Sequence, residues 1–363
     1  MNLYRPTKAL VDLAAVRRNT QRIIAAYPGY RYYTAVVKAD CYGYRGPQVV
    51  QAMLDGGANS LAASLVEEGL TLREQFPDTP ILLFTPPAAE ALTVCAEKRL
   101  WVTVATLAGA KAAAEIPDLA VVIRANGGCD ILGGPTDRDG FEAIWNTLRD
   151  GACDLKGLYL HSYNAEDAAD TQQEWDTFEA MTAGVDLSTL EFVSICNSLS
   201  LPRYAKKPYC NGCRLGNILY AIESEDEALE PTFRLVSRVL SVFSLKKGQS
   251  VAYSRAYTAS IDGERIAAVP IGFGDGFAKT NIGRTVFIGE RAYPIVAVTM
   301  DITLIAVDDS VNADDEVVLI RDNHHLDEIA AHIHGATEEA ICALNKRVPR
   351  MYLDAKSSIK RAH

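Results

Sequence analysis

The sequence predicts an α/β protein, a (β/α)8 TIM-type barrel followed by a mainly β C-terminal domain. Three observations predict it. Short apolar runs alternate with helical patterns, one strand every roughly 20–35 residues, which is the rhythm of βα units and a parallel sheet. About eight such units close a barrel. Beyond the acidic, proline-ended stretch Ile222–Pro231 the strand signals crowd together, with Gly248, Gly263, Gly283 and Gly289 as turns. The expected division is a barrel over residues 1–230 and a β domain over 231–363. The strand near residues 8–12 is a candidate to pair with the second domain.

Taken in order, Lys8–Asp12 reads as a strand, and Asp12 is placed to cap a helix whose face carries Leu13, Val16, Ile23 and Ile24. The run ending at Lys38 is the next strand, followed by a helix over Gln48–Asp55. Ser60–Ser64, Ile81–Phe84, Trp101–Ala105, Ala120–Arg124, Leu155–Leu160 and Glu191–Ile195 continue the strands. Helical patterns over Val66–Gln75, Leu107–Ala114, Phe141–Arg149 and Thr171–Thr182 separate them. In the second domain strands are expected over Arg234–Val242, Ser250–Tyr257, Arg265–Pro270, Thr285–Ile288, Ala292–Met300, Ile302–Val307 and Glu316–Ile320. Helical pieces are expected at Leu326–His334 and Glu338–Asn345.

Composition narrows the function. A chain of 363 residues can bury a sizeable core in two domains. A net charge of −10 argues against nucleic acid as a partner. No apolar run reaches membrane-spanning length, and the N-terminus lacks the apolar stretch of a signal peptide. Eight scattered cysteines fit a reducing, cytoplasmic setting. Cys210 and Cys213 have CxxC spacing, but no second pair accompanies them, so no metal site is expected. His324, His325, His332 and His334 lie near Asp322, Asp327 and Glu328. Their side chains diverge on a helix, so a solvated face is expected there.

The chemistry is concentrated at strand ends. The run Ala35-Val-Val-Lys38-Ala-Asp-Cys-Tyr42-Gly-Tyr44 puts a lysine at the open end of a strand, where it can carry an aldehyde cofactor as a Schiff base. The same stretch also fits an ordinary strand followed by a solvated lysine. Tyr42 is placed to hydrogen-bond an anionic group near that lysine. Arg124, His161 and Asn197 fall at other strand ends of the expected barrel. Gly216, in Arg214-Leu-Gly-Asn217-Ile-Leu-Tyr220, lets a backbone approach a phosphate, and Ser198 can add a hydroxyl. Each of these, alone, also reads as a plain turn.

In this order, AVVKADCYGY, His161, Asn197-Ser198, RLGNILY, VAYSRAYT, PIGFGDGF and VTMD resemble alanine racemase and its relatives, the fold-type III pyridoxal phosphate enzymes. The resemblance covers nearly the whole chain. It implies that Lys38 binds pyridoxal phosphate and that Tyr42, Ser198, Gly216 and Asn217 hold its phosphate, with Asn197 and His161 also in the cofactor site. It implies that Arg214 faces the pyridine nitrogen and that His161 orients Tyr253. Lys38 and Tyr253 are the implied catalytic bases, one on each face of the substrate. Tyr253 and Met300 would come from the partner subunit of a head-to-tail homodimer, Met300 lining the substrate.

Departures from the family pattern gather around the substrate. Where a KxDTGMGRLG-like segment supplies a lysine and a carboxylate-binding arginine, this chain has Arg124 and Ile131. Arg124 is therefore the candidate substrate-binding residue. Phe273 stands for a tyrosine and Ser194 for a histidine. The expected activity is interconversion of L- and D-alanine. The rivals are a racemase for serine or a larger amino acid, a fold-type III decarboxylase, and a non-catalytic pyridoxal phosphate-binding protein, for which the β domain would be superfluous.

Overall fold

A computed structural model describes residues 4–128, 131–222 and 226–354. The acidic stretch Ile222–Pro231 thus lies partly outside the described residues. The chain divides into two compact units, one of Arg17–Cys41 and Val49–Leu219, the other of Met1–Val16, Tyr42–Gln48 and Tyr220–His363.

The first strand, β1 (Lys8–Asp12), belongs to the second of these units. Asp12 Oδ1 accepts the backbone N–H of Ala15 at 2.9 Å and so caps the helix Leu13–Ala26. The other unit is an eight-stranded parallel sheet. Its strands are β2 (Tyr32–Val36), β3 (Ser60–Ala63), β4 (Ile81–Leu83), β5 (Leu100–Val104), β6 (Ala120–Ala125), β7 (Asp154–Leu160), β8 (Phe192–Ser194) and β9 (Gly212–Leu215). Each of β2 to β6 is buried along its whole length, as a sheet covered on both faces requires. The order runs from β8 through β2 to β9, and a bridge between Cys196 and Cys213 brings the two ends together into a nearly closed barrel. β9 was not expected as a strand; its segment read as a glycine loop.

Between β6 and β7 the register slips, with Val121 opposite Leu155 and Val122 opposite Gly157. Gly157 sits at this bulge with φ +156°, and a Cβ there would lie 1.7 Å from the carbonyl oxygen of Phe192. Only glycine lets β7 lie against β8 at this point.

The other unit is mainly β. Its strands are β10 (Phe233–Arg238), β11 (Ser241–Leu245), β12 (Ser250–Val251), β13 (Tyr257–Thr258), β14 (Glu264–Val269), β15 (Thr285–Ile288), β16 (Arg291–Val298), β17 (Thr303–Val307), β18 (Glu316–Ile320) and β19 (Arg350–Leu353). Nine strands form one sheet, ordered β11-β14-β17-β16-β15-β18-β10-β1-β19. β1 is antiparallel to β10 and parallel to β19. Leu245, Ile266, Ala297 and Leu304 pack one of its cores.

Two expected strands divide. Arg234–Val242 splits because the chain turns a corner and changes partner. Val239 N–H still bonds the carbonyl of Asp315, whereas Leu240 N–H bonds that of Ala268. Ser250–Tyr257 is instead the short hairpin β12–β13, with Tyr253 in a turn where Ala252, Ser254 and Arg255 all have positive φ.

The histidines do not all line a solvated face. His325 is buried, edge-on to Phe287 at 5.1 Å between centroids. Burial, reinforced by the nearby Arg284 charge, pushes its imidazole down to about 4. The unfolded chain therefore takes up this proton first, near pH 6.5. Stability is expected to fall as pH drops from about 6.5 to about 4, by up to roughly 3 kcal/mol, and then to level off. Denaturant midpoints across that range should show this slope diminished in His325→Gln; an unchanged slope would remove His325 as its source.

Candidate active site

The parallel barrel gathers its polar side chains at one end. Lys38 follows β2 by two residues, His161 directly follows β7, and Asn197 and Ser198 lie just past β8. Arg124 is the penultimate residue of β6, and Arg214 is in β9, in register with Thr34 of β2. Chain direction alone thus brings Lys38, Arg124, His161, Asn197, Ser198, Arg214, Gly216 and Asn217 to the C-terminal strand ends.

The backbone after Lys38 is strained. Ala39, Asp40, Cys41 and Tyr42 all have φ between 53° and 57°, a left-handed turn without a glycine. Each such residue costs about 1–2 kcal/mol. The barrel holds the turn at both ends. Cys41 N–H bonds the carbonyl of Val37 at 3.0 Å, and Ala39 N–H donates to Glu68 Oε1 at 2.7 Å. The other oxygen of Glu68 accepts the N–H groups of Ser64 and Leu65. Glu68 was missed in the sequence, where it read as one helix acid among several.

Arg214 is buried. Its Nη1 donates to the carbonyl of Ser194 at 2.8 Å and to Ser194 Oγ at 2.7 Å, and its Nη2 to the carbonyl of Leu160 at 2.6 Å. All of these acceptors are neutral. Ser194, noticed in the sequence only as a replaced histidine, is thus an anchor for the guanidinium. Burial pushes Arg214 down to about 10, which still leaves it protonated at neutral pH. Arg214 lies 4.9 Å and Arg124 5.8 Å from the ring centre of the fully buried Tyr159, so one aromatic ring supports both cations.

The hydroxyl of Ser198 accepts the N–H of Gly216 at 2.8 Å, so these two groups lie side by side. Asn197 organises the turn beside them. Its Oδ1 accepts the N–H groups of Leu199 and Ser200, and its Nδ2 donates to the carbonyl of Ser162. Asn217 opens a short 3-10 turn after Gly216, and His161 is exposed. Ile131 is 89% exposed, and Cys129 and Asp130 beside it lie outside the described residues.

The remaining candidates belong to the β unit. Tyr42 is buried there with its ring 4.9 Å from that of Tyr220. Tyr253 is 80% and Met300 54% exposed. Three ion pairs fix the loops around Met300. The buried Asp275 carboxylate meets Arg5 at 2.5 Å and Arg347 at 3.1 Å, and Arg347 reaches Asp301 at 2.5 Å. Gly274 N–H donates to the carbonyl of Met300. Phe273 therefore sits on a loop stitched to the Met300 turn.

Cys210 and Cys213 are buried, where desolvation pushes their thiols up. Among the described residues no group of three or more His, Cys, Asp or Glu is arranged to hold a metal ion. No helix among them is long and apolar enough to cross a membrane.

Comparison with known proteins adds to this geometry. Residues 11–224 match the family described as alanine racemase, N-terminal domain, and residues 232–352 match alanine racemase, C-terminal domain. Alanine racemase of Lactiplantibacillus plantarum is 30% identical, the match covering 97% of this chain and 98% of that one. Alanine racemase 1 of Bacillus subtilis is 28% identical over 97% of this chain and 94% of its own. The crystal structure of alanine racemase from E. faecalis superposes with a TM-score of 0.89 at 25% identity, covering 97% of this chain and 100% of the other. A histidine racemase from Leuconostoc mesenteroides shares the fold, with a TM-score of 0.83 at 20% identity, over 97% of this chain and 99% of its own. With both domains matched in order across nearly its whole length, the chain belongs to the alanine racemase family.

Proposed function

We propose that the protein is a pyridoxal phosphate-dependent amino-acid racemase that interconverts L- and D-alanine. The observation that carries this reading is the family match across both domains. The donor set fits the cofactor. Gly216 N–H, which here donates to Ser198 Oγ, lies beside that hydroxyl, and both would turn to a bound phosphate. Arg214 is a buried cation that donates to the neutral oxygens of Ser194 and Leu160, as suits a group facing an uncharged ring nitrogen. When bound, pyridoxal phosphate supplies an aldehyde for an amino group and a conjugated ring that makes the α-proton acidic.

The chain's own residues then divide the work. Lys38 holds the cofactor and serves as base on one face of the substrate. Its position is fixed by the left-handed turn behind it. Arg214 keeps its own protons and so leaves the ring nitrogen unprotonated, which favours return of the α-proton over side reactions. Tyr42 and Asn217 complete the phosphate site, with Asn197 and His161 around it.

Tyr253 of the partner subunit is the base on the opposite face, in a head-to-tail homodimer. Its exposure, with that of Met300, supports a role completed by a second copy. Arg124 binds the substrate carboxylate, taking over from the arginine that Ile131 replaces. This guanidinium is anchored over Tyr159 at the end of β6.

The test is a chiral assay of the purified protein with pyridoxal phosphate across a panel of amino acids. L- and D-alanine should each reach the same equilibrium mixture. Faster turnover of serine or a larger side chain would move the substrate assignment. Release of carbon dioxide, or no reaction with any amino acid, would defeat the racemase reading.

A further inference from the structure

The β unit holds a buried arginine that the reaction does not use. Arg284 is 6% exposed. Its Nε donates to Asn281 Oδ1 at 2.5 Å, and its Nη1 donates to the carbonyls of Thr285 and Leu319 at 3.1 and 3.0 Å. One face of the guanidinium rests on Phe277, 5.0 Å from the ring centre. The other terminal nitrogen, Nη2, has no hydrogen-bond partner among the described residues, and no carboxylate among them pairs with the charge. Burial alone pushes the group down to about 9, still protonated at neutral pH.

The guanidinium is buried except at this open edge, which is left to solvent or a ligand, and one aromatic face offsets only part of the cost of burying the charge. Arg284 lines a cavity of ≈ 200 Å³ whose other walls include Ile320, Ile329, Ile333 and Ala340. The charge therefore borders an apolar space large enough for a few carbon atoms.

We propose that this cavity binds a small aliphatic monocarboxylate. The carboxylate accepts the two N–H groups of Arg284 Nη2, and the hydrocarbon body lies against Ile320, Ile329 and Ile333. The lining selects within anions. A phosphate would bring more charge than one guanidinium edge can offset, and besides Arg284 the lining offers it only the neutral Thr280 and Asn281 and the acidic Glu339. The exposed carboxylate of Glu339, on the same cavity lining, further disfavours a dianion. Arg284 and the cavity lie entirely within the β unit, so the site does not depend on the proposed racemase chemistry.

Butyrate is the probe, added as the sodium salt to the full chain loaded with pyridoxal phosphate, with sodium chloride and butylammonium chloride at equal concentration as references. Saturation-transfer NMR should show contact to the butyrate methyl and none to butylammonium, and chloride should not displace butyrate. Arg284→Gln should weaken binding at least about tenfold, the loss of one charge-assisted contact. Ala340→Leu keeps the arginine but fills the cavity, and should also remove binding while leaving racemase activity as it was. Circular dichroism establishes that each variant is folded, and should Arg284→Gln fail to fold, Ala340→Leu alone decides. Butyrate binding that survives Ala340→Leu, as binding at the catalytic site would, overturns the proposal. So does absence of binding to the unaltered chain, or displacement of butyrate by chloride.

Discussion

Lys38→Ala is expected to abolish racemisation, by at least about 10³-fold, and with it the visible absorbance of the bound cofactor. The lysine has two duties in the proposed mechanism, as cofactor anchor and as base. Losing a base alone removes about 10²–10⁴-fold, and losing the covalent anchor removes the means of positioning as well. The backbone argues the same way. Four successive left-handed residues without glycine, Ala39 to Tyr42, are an unfavourable way to leave a strand. The Glu68 bond to Ala39 N–H persists in the alanine variant, because it is made to the main chain. The variant should therefore fold, and a chiral assay beside an absorbance spectrum separates chemistry from stability. A variant that keeps both absorbance and turnover would remove Lys38 from the site.

Tyr253→Phe is expected to lose about 10²–10⁴-fold in racemisation while still exchanging the α-proton of one enantiomer with solvent. The asymmetry follows from one base per face. Lys38 would continue on its own side, and phenylalanine cannot take a proton on the other. Deuterium uptake into L- and D-alanine, measured separately, reads this directly. Exchange of both enantiomers at the ordinary rate would end the two-base assignment.

The same pair of variants tests where Tyr253 acts. If it completes the site of a second copy, Lys38→Ala and Tyr253→Phe chains produced together form mixed dimers with one intact site. Half of randomly paired dimers are mixed, so activity should recover to about a quarter of the unaltered level. No recovery in folded mixed dimers would place Tyr253 in the same chain's site.

The barrel was legible in the sequence because most of its strands are continuous apolar runs bounded by helices, and β2 to β6 fall within a residue or two of expectation. β9 was not, because Gly212, packed against the Phe192 ring, and the charged Arg214 break the apolar pattern that marks a strand. The corner at Val239–Leu240 is set by a change of hydrogen-bond partner far away in sequence, which no local pattern records. The left-handed turn after Lys38 was equally hidden, since Ala, Cys and Tyr do not favour it and a lone Asp is too weak a signal. The candidate residues were found from motif order; their supports, Glu68 and Ser194, were not, because a helix acid and a strand serine are ordinary until their partners are known.

The pairing of β1 with β19 bears on how the chain is made. The first strand to leave the ribosome, Lys8–Asp12, has the last strand, Arg350–Leu353, as one of its two neighbours and β10 as the other. Every barrel strand has been synthesised by Leu215, so that unit can fold while the rest of the chain is still emerging. Lys8–Asp12 must wait with both edges bare, a template for any passing strand. The nascent protein therefore carries this aggregation hazard at Lys8–Asp12, and the hazard closes only once Arg350–Leu353 has been made.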